Sequence, residues 1–400
     1  MDRFGDKVCC NPNVKLKKQE SYPVIDIDKI TPGYKAVRSV ASIEYTGQGG
    51  AKFQDHDVLF ARITPCLENG KMAIADTEGQ NGIGSTELFV FRGIDGVSDT
   101  DYVYYLLCMK HIRQLAANSM TGASGRQRAD LDFIKRIQWD FPDIEIQKKI
   151  ASVLSAYDNL IEVNNKRIKV LEQIAENLYK EWFVRFRFPG HETAEFENGI
   201  PEGWAYRRAD EVIDFNPTLK TGNQTEFTII PMEALSTNSM VLDSGCFVRQ
   251  DSISGRRSQN GDTLLAKITP CLENGKTGFV MGMPENEVLG GSTEFVVMRS
   301  KALTPHYVYC IARSYYFRQT AILSMNGADG RQRVDEDKLK STKILQPEKT
   351  VLDHFETIVT PIFDGVYQMV QENKNLIQQR DLLLPRLMSG KLEVQYALND

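Results

Sequence analysis

The sequence lacks the features that would place the chain in a membrane or outside the cell. It contains no apolar run long enough to span a bilayer, and its first residues, MDRFGDKVCCNP, do not form a signal peptide. Its seven cysteines include no CxxC pair. Reduced thiols in the cytoplasm therefore explain them better than disulfides or a zinc site. We expect a cytoplasmic protein with no membrane partner.

Patterns that carry catalysis are also missing. Gly47–Gly50 is too short for a nucleotide-binding loop, and no P-loop spacing occurs. The Asn- or Asp-Pro-Pro-aromatic loop of an amino-methyltransferase is absent. Asp143, Glu145 and Lys148 resemble the acidic pair and lysine of a nuclease only faintly. They open an amphipathic helix, where acidic residues interact favourably with the helix dipole. We expect no catalytic residue, no metal site and no cofactor bound to this chain.

Composition does not decide whether the partner is a nucleic acid. The formal net charge of −5 provides no long-range attraction for DNA. A local basic patch can nevertheless dominate binding, so the charge leaves this question open. At 400 residues the chain is too long for one core and fits two to four domains.

The sequence contains an internal duplication, which decides its organisation. Val58–Lys71 returns as Thr263–Lys276 with 11 of 14 positions identical, at an offset of 205 residues. Ser119–Arg128 returns at the same offset as Ser324–Arg333, with eight of ten positions identical. Each copy ends in a long segment with helical periodicity. The predicted order is globular domain, long helix, globular domain, long helix.

The two long segments have apolar residues at alternating gaps of four and three, which is typical of a helix buried against a partner helix. The first, Gln147–Phe183, contains no proline or glycine; the second is Val351–Leu387. The asparagine in each seam suits a device that fixes register. The alternative is that each helix only caps the domain beside it. The predicted seam residues are Ile150, Leu154, Tyr157, Ile161, Asn164, Ile168, Leu171 and Leu178 in the first helix, and Ile362, Val366, Met369, Asn373, Leu376 and Leu383 in the second.

We predict an α+β fold in which two similar α/β domains are separated by two long helices. The helices are expected to form an antiparallel coiled coil with pseudo-twofold symmetry. The predicted boundaries are 1–143 for the first domain, 144–187 for the first helix, 188–347 for the second domain and 348–400 for the second helix and C-terminal tail.

Within the first copy, strands are predicted at Val58–Ile63, Met72–Ala75 and Leu88–Arg92. The Asn-Gly pair between the first two strands favours a hairpin turn. A helix over Tyr102–Ala117 and a last strand over Lys135–Trp139 complete the domain.

Two repeated loops could contact DNA. The sequence GRQR displays Arg126, Gln127 and Arg128 in the first copy and Arg331, Gln332 and Arg333 in the second. Arginine can bond guanine with two hydrogen bonds and glutamine can bond adenine similarly, while arginine also neutralises phosphate. The alternative is a solvated loop whose arginines pair with Asp130 and Asp335, or with Glu87 and Glu294.

A lysine follows the Asn-Gly turn in each copy, at Lys71 and Lys276. At the tip of such a turn its ammonium could reach a phosphate. The alternative is that the identity of this stretch between the copies reflects folding alone, because Asn-Gly suits a tight turn.

The arrangement resembles the specificity subunit of type I restriction–modification enzymes over the whole chain. The resemblance lies in the helix PDIEIQKKIASVLSAYDNLIEVNNKRIKVLEQIAENLYKEWFVRF after the first domain, a matching helix after the second, and LLLPRLMSGKL at Leu382–Leu392. One departure is Ile146-Gln147, where Glu-Gln is expected.

The resemblance implies that the two domains are target recognition domains, each reading one half of a bipartite site in double-stranded DNA. The helices would be spacers that dock two methyltransferase subunits, with restriction subunits joining the complex. S-adenosylmethionine, ATP and Mg²⁺ are then expected on those partners, and this chain would be a non-catalytic subunit. The alternative is a stand-alone DNA-binding adaptor, or a coiled-coil scaffold, without restriction–modification partners.

Overall fold

The structure is a computed structural model that describes residues 1–123, 125–328 and 330–393. It divides into two compact units. The N-terminal unit comprises Met1–Val163 and the segment that begins at Asn373, and the C-terminal unit comprises Asn164–Glu372. The first long helix, Ile144–Tyr179, and the second, Lys349–Met388, each contribute to both units. In the part of the chain that the structure describes, no helix has the length and apolarity needed to cross a membrane.

The N-terminal unit is built on two sheets, of five and four strands, with short helices packed beside them. Its strands are Asp2–Arg3, Val8–Cys10, Ser21–Ile25, Ala36–Arg38, Ala41–Glu44, Ala51–Phe53, Val58–Ala61, Met72–Asp76, Gly82–Gly84, Leu88–Gly93 and Gln138–Trp139. Its helices before the first long helix are Phe4–Lys7, Thr100–Cys108, Lys110–Asn118 and Leu131–Lys135.

The five-stranded sheet is buried on both faces because successive side chains of a strand point to opposite sides. Phe60 and Phe91 pack with the helices of the unit, while Leu59 and Val90 pack into a second core against the four-stranded sheet. The strands Val58–Ala61, Met72–Asp76 and Leu88–Gly93 are antiparallel neighbours. This pairing fixes both ends of the repeated ITPCLENGK stretch, which connects Val58–Ala61 to Met72–Asp76.

The C-terminal unit repeats this plan with four- and three-stranded sheets. Its strands are Phe196–Glu197, Ile200–Pro201, Ala205–Arg208, Ile213–Phe215, Phe227–Ile230, Val248–Gln250, Thr263–Ala266, Thr277–Phe279, Gly290–Gly291, Phe295–Ser300 and Lys343–Gln346. Its helices besides the long ones are Ala209–Val212, Pro305–Arg313, Tyr315–Leu323 and Glu336–Ser341, with a π-helical turn at Lys180–Val184 and 3₁₀ turns at His191–Thr193, Met232–Ala234 and Ser244–Cys246. The predicted mixture of helices and strands in two similar domains is confirmed.

The structure corrects three details of the predicted secondary structure. The helix predicted over Tyr102–Ala117 is broken at Met109, whose ψ of 125° is extended, so two helices form. The C-terminal unit has the same break at Ser314, whose hydroxyl accepts a hydrogen bond from the Phe317 backbone N–H (3.3 Å). Such a capping serine starts a new helix. The last strand covers only Gln138–Trp139.

The third correction concerns the hairpin. The strands Val58–Ala61 and Met72–Asp76 do pair, but the connection is a ten-residue loop instead of a tight Asn-Gly turn. Within it the backbone N–H groups of Asn69, Gly70 and Lys71 bond carbonyls earlier in the loop. The seven cysteines form no disulfide.

In each unit the long helices pair antiparallel. In the N-terminal unit, Ile150 and Leu154 near the start of the first helix share a core with Leu384, Leu387 and Met388 near the end of the second. The C-terminal unit has the reverse combination: Ile168 and Ala175, from the later part of the first helix, share a core with side chains from the early part of the second. These pairings fit the predicted antiparallel coiled-coil architecture.

Most predicted seam residues lie toward a core, but the buried stripe differs from the predicted one in the second helix. There Leu352, Phe355, Val359, Phe363 and Val366 are buried in one cluster. The predicted residues divide into three groups: Ile150, Leu154, Ile161, Asn164, Ile168, Val366 and Asn373 are buried; Leu171, Leu178, Ile362, Met369 and Leu383 are partly buried against a core; Tyr157 and Leu376 are half-buried outside the apolar cores.

The polar seam residue of the first helix, Asn164, has a hydrogen-bond partner within the C-terminal unit. The Asn164 amide is buried and donates to the Glu372 carboxylate (2.9 Å) of the second helix. A buried amide with a specific acceptor disfavours any shift of the helices, because a shift would leave it without that hydrogen bond.

Candidate nucleic-acid interface

The GRQR loop of the N-terminal unit is anchored on both sides by backbone hydrogen bonds. Arg128 exchanges two bonds with Thr121 (2.9 and 3.0 Å). The Thr64 N–H donates to the Gln127 carbonyl (3.0 Å), and the Thr64 hydroxyl accepts from the Gln127 N–H (3.1 Å). The loop therefore lies on the segment that follows strand Val58–Ala61.

The C-terminal unit builds the same loop from its own copy of the sequence. Arg333 exchanges two backbone bonds with Asn326 (both 2.9 Å), and the Thr269 N–H donates to the Gln332 carbonyl (3.1 Å). Because separate stretches of chain form the same bonds, the duplicated sequence encodes a duplicated loop structure.

The second arginine of each loop forms an ion pair with a glutamate. Arg128 binds Glu87 through Nε (2.9 Å) and Nη2 (2.5 Å), and Arg333 binds Glu294 through Nε (3.0 Å) and Nη2 (2.7 Å). The guanidinium hydrogen bonds hold the pKa of each glutamate below its usual value. These arginines are positioned by their carboxylates and carry little net charge to a partner.

The pairing named in the alternative interpretation is therefore present, with Glu87 and Glu294 as the partners of Arg128 and Arg333, while DNA contact by the loops stays a prediction. The aspartates considered with them have another role. Asp130 accepts the Asp132 backbone N–H (2.8 Å), and Asp335 accepts the Asp337 N–H (3.0 Å), so each caps a short helix.

The first arginine of each loop is different. Arg126 and Arg331 are exposed, and their backbone N–H groups bond Ala123 and Ala328 (both 3.0 Å). Within residues 1–123, 125–328 and 330–393, neither guanidinium has a hydrogen bond or ion pair. Gln127 and Gln332 are half-buried between the two arginines. Arg126 and Arg331 therefore carry the accessible positive charge of the two loops.

The repeated lysines contact the protein main chain. The Lys71 ammonium donates to the Ile27 carbonyl (2.9 Å), and the Lys276 ammonium donates to the Met232 carbonyl (3.1 Å). Both lysines are half-buried and lie where the loop enters the next strand. This geometry favours the structural interpretation of the repeated LENGK stretch, while a phosphate contact stays a prediction.

A basic residue next to each loop was not identified from the sequence: the Arg62 and Lys267 carbonyls accept the backbone N–H groups of Ala129 and Val334, which follow the loops (2.8 and 2.9 Å). Arg62 places its guanidinium 4.8 Å from the centre of the Phe89 ring. The equivalent Lys267 binds Glu336 (2.9 Å), which also binds Arg256 (2.9 Å). The sequence did contain a signal, because a basic residue stands at this position in both copies of the repeat.

A close approach of two glycines positions Arg256 in the C-terminal unit. Its backbone N–H donates to the Gly291 carbonyl (3.0 Å), and Gly255 has a positive φ of 70°. A Cβ at Gly255 would lie 1.6 Å from that carbonyl oxygen. Gly50 approaches Gly84 in the same way in the N-terminal unit. Glycine is required at these positions because a side chain would separate the two segments.

Replacing Gly255 by Ala is expected to destabilise the C-terminal unit more than replacing Gly222. Both residues have a positive φ, which costs an alanine about 1–2 kcal/mol. Only Gly255 adds a clash with backbone, worth about 1–3 kcal/mol more. Urea unfolding of the two variants measures the difference. Equal losses of stability would contradict the close approach.

In the described ranges of the chain, no group of three or more His, Cys, Asp or Glu side chains is arranged to hold a metal ion. The arrangement consists instead of two equivalent loops, each with one exposed arginine, one glutamine and one anchored arginine. Such a set can bind phosphate or the edges of bases in a groove.

Comparison with known proteins shows which family the chain resembles. Residues 9–173 match the family described as type I restriction modification DNA specificity domain. The specificity subunit of the type I restriction enzyme MjaVIII of Methanocaldococcus jannaschii is 23% identical over 98% of this chain and 92% of its own length. That of MjaIX, from the same organism, is 25% identical over 76% of this chain and 72% of its own.

The resemblance to type I specificity subunits is confirmed. The matched relatives are the specificity subunits of restriction enzymes, and the same matches bear out the prediction that this chain is a non-catalytic subunit. The crystal structure of the type I restriction–modification S subunit from M. genitalium has the same fold, with a TM-score of 0.55, 14% identity and coverage of 96% of this chain and 95% of that one.

Proposed function

We propose that this chain is the DNA sequence-specificity subunit of a type I restriction–modification enzyme, in which each globular domain reads one half of a bipartite target. The observation that carries the proposal is the loop built twice on the same scaffold, with an exposed arginine at Arg126 and at Arg331. Two equivalent reading loops suit two half-sites. Because the domains share so much sequence, the half-sites should be related and in opposite orientation.

Within each loop the residues have different roles. The exposed arginine contacts a base edge or a phosphate, and the adjacent glutamine can read adenine when the loop enters a groove. The anchored arginine holds the loop in shape through its glutamate. Specificity then comes from the exposed arginine and the glutamine, with loop geometry set by the ion pair.

The long helices are proposed to set the distance between the half-sites. The first helix has 36 residues and the second 40. At about 1.5 Å per residue these lengths are roughly 54 and 60 Å. Two DNA-binding domains can face the same side of DNA when their half-sites lie about one helical turn, or 34 Å, apart. The target is therefore proposed to be two short blocks with a non-specific spacer of several base pairs.

The proposed partners are double-stranded DNA, two methyltransferase subunits and restriction subunits, in the cytoplasm. S-adenosylmethionine, ATP and Mg²⁺ would be bound by those partners, which supply the chemistry. This chain would supply the choice of sequence. A stand-alone adaptor would bind DNA without co-purifying methyltransferase, and a protein scaffold would fail to shift any DNA even with its partners present.

The proposal is tested by co-expressing the chain with its neighbouring methyltransferase and sequencing the modified adenines. We expect one split motif, with two short related blocks separated by unspecified bases. A continuous, undivided motif would contradict the bipartite mechanism. The matched control is the methyltransferase expressed alone, which should leave that motif unmodified.

The spacer function has a separate test, in which one heptad is inserted into both helices at the level where the two units divide. The insertions follow Val163 and Glu372, so the antiparallel pairing is kept in each unit. Seven residues add about 10 Å, and at about 3.4 Å per base pair the spacer should lengthen by about three base pairs. Insertion into the first helix alone is the control and should abolish binding. An unchanged spacer would show that the helices do not set the distance between the half-sites.

A further inference from the structure

A buried ionic cluster lies between the two long helices in the N-terminal unit. Asp158 of the first helix is 6% exposed and accepts a hydrogen bond from the Tyr105 hydroxyl (2.5 Å). Its other carboxylate oxygen binds Nη1 of Arg380 from the second helix, and that nitrogen also donates to the Gly33 carbonyl (3.2 Å). Such a cluster is tolerated in a core only when every charge has its partner.

The duplication makes it possible to ask what occupies the same positions in the C-terminal unit. At the offset of 205 residues, Ile150 corresponds to Phe355 and Leu154 to Val359, and all four are buried. The offset therefore aligns the helices in structure as well as in sequence.

By that alignment the cluster has an apolar counterpart in the C-terminal unit. Asp158 corresponds to Phe363, Arg380 to Ala175 and Tyr105 to Cys310. All three counterparts are buried in the apolar core of that unit. One unit joins the helices by an ion pair, and the other joins them by apolar packing at the equivalent level.

This difference determines which helices can pair. If the first helix paired with the first helix of a second copy, Asp158 would face Ala175. If the second helix paired with its own copy, Arg380 would face Phe363. Either arrangement buries a charge without its partner, which is strongly unfavourable. When the first helix pairs with the second, Asp158 meets Arg380 in the N-terminal unit and their apolar counterparts share the core of the C-terminal unit. No charge is then buried without its partner.

We propose that the cluster of Tyr105, Asp158 and Arg380 selects the partner of each helix: it admits the other long helix of the chain and rejects the identical helix of a second copy. The two repeats of a duplicated sequence would otherwise be interchangeable at this level. The cluster makes them complementary without any change to the loops that face DNA.

The test uses the full chain, prepared as an equal mixture of ¹⁴N- and ¹⁵N-labelled copies that are unfolded and refolded together. Identical first helices pairing antiparallel at the Asp158 level would bring Lys166 of both copies to the centre of the pair. Lysine crosslinking and mass spectrometry then measure the mixed-isotope peptide that joins two Lys166 residues. In the chain's own sequence this peptide should be at background.

The decisive variant removes both charges with little change of shape, as Asp158→Asn with Arg380→Gln. We expect the mixed Lys166 crosslink to rise about tenfold or more, because mispaired helices no longer bury a lone charge. The matched control reverses the pair, as Asp158→Arg with Arg380→Asp, and should stay at background because mispairing still leaves a charge unpaired.

Circular dichroism and resistance to limited proteolysis establish that each variant is folded before crosslinking. If the neutral variant does not fold, Arg380→Gln alone is measured. It should also raise the crosslink, because Asp158 then lacks its cation in the native pairing as well as in the mispaired one, so native pairing loses its advantage. A folded neutral variant whose crosslink stays at background would overturn the proposal, as would an abundant crosslink in the unmodified chain. The readout needs no DNA, so its failure is distinct from failure of the proposed function.

Discussion

Replacing Arg126 and Arg331 together by alanine is expected to lower the affinity for the target DNA by about 2–6 kcal/mol, which is about 1–3 kcal/mol for each specific contact. The reason is that these two side chains carry the accessible charge of the loops, whereas Arg128 and Arg333 are bound to glutamates. Fluorescence anisotropy with the complete methyltransferase complex at fixed salt measures the loss. Fixed salt is necessary because phosphate contacts make affinity strongly salt-dependent.

The single variants test the two globular domains separately. Arg126→Ala should reduce discrimination between correct and altered bases in one half-site only, and Arg331→Ala in the other. The matched control is Arg208→Ala, which removes an exposed arginine outside the loops that pairs with Asp210 (2.7 Å). This control should leave affinity within error. Binding by the double variant that also stays within error would exclude the loops from DNA contact.

The anchored arginines give a result of a different kind. Glu87→Gln keeps the size of the side chain but weakens the bonds that hold Arg128. Non-specific binding is then expected to rise while discrimination falls, because a freed arginine adds charge and loses its fixed position. Measuring both quantities on specific and scrambled duplexes checks the two effects independently.

The sequence alone could predict the duplicated loops but could not separate their two arginines. The identity of SMTGASGRQR and SMNGADGRQR located both loops, and the glutamates were among the candidate partners. Whether Arg126 or Arg128 takes the glutamate depends on how Leu88–Gly93 pairs with Val58–Ala61 across the sheet. That register is set by long-range packing, which a local sequence pattern does not contain.

The helices show a second limit of sequence reasoning. Alternating gaps of four and three located the paired helices, but they predicted Ile362 in the seam and left out Phe355 and Phe363, which are buried. A strict four-three pattern assumes that a helix packs only against one partner helix. Here each helix also packs against a domain, so the buried face is wider and follows the period of 3.6 residues. The same effect buries Asp158 in place of Tyr157.

Phe355→Ala is expected to lower the free energy of unfolding of the C-terminal unit by about 3–5 kcal/mol, as is usual when a fully buried phenylalanine is truncated. Phe355 is 0% exposed, and its ring centre lies 5.0 Å from that of Phe183, 5.9 Å from Trp182 and 6.2 Å from Tyr307. It therefore joins the second helix to the end of the first helix and to the globular domain. Removing it opens a cavity where all three meet.

The matched control in the same helix is Leu382→Ala, which truncates a side chain that is 64% exposed and should change stability by no more than about 0.5 kcal/mol. Urea unfolding followed by tryptophan fluorescence is suitable because Trp182 and Trp204 share the core of the C-terminal unit. If Phe355→Ala costs no more than Leu382→Ala, the second helix does not belong to that core. A spacer that was only loosely attached to its reading domain could not set a distance on DNA, because the domain would turn freely about it. The loss expected at Phe355 thus measures how firmly the second helix is attached to the domain, which the proposed spacer function requires.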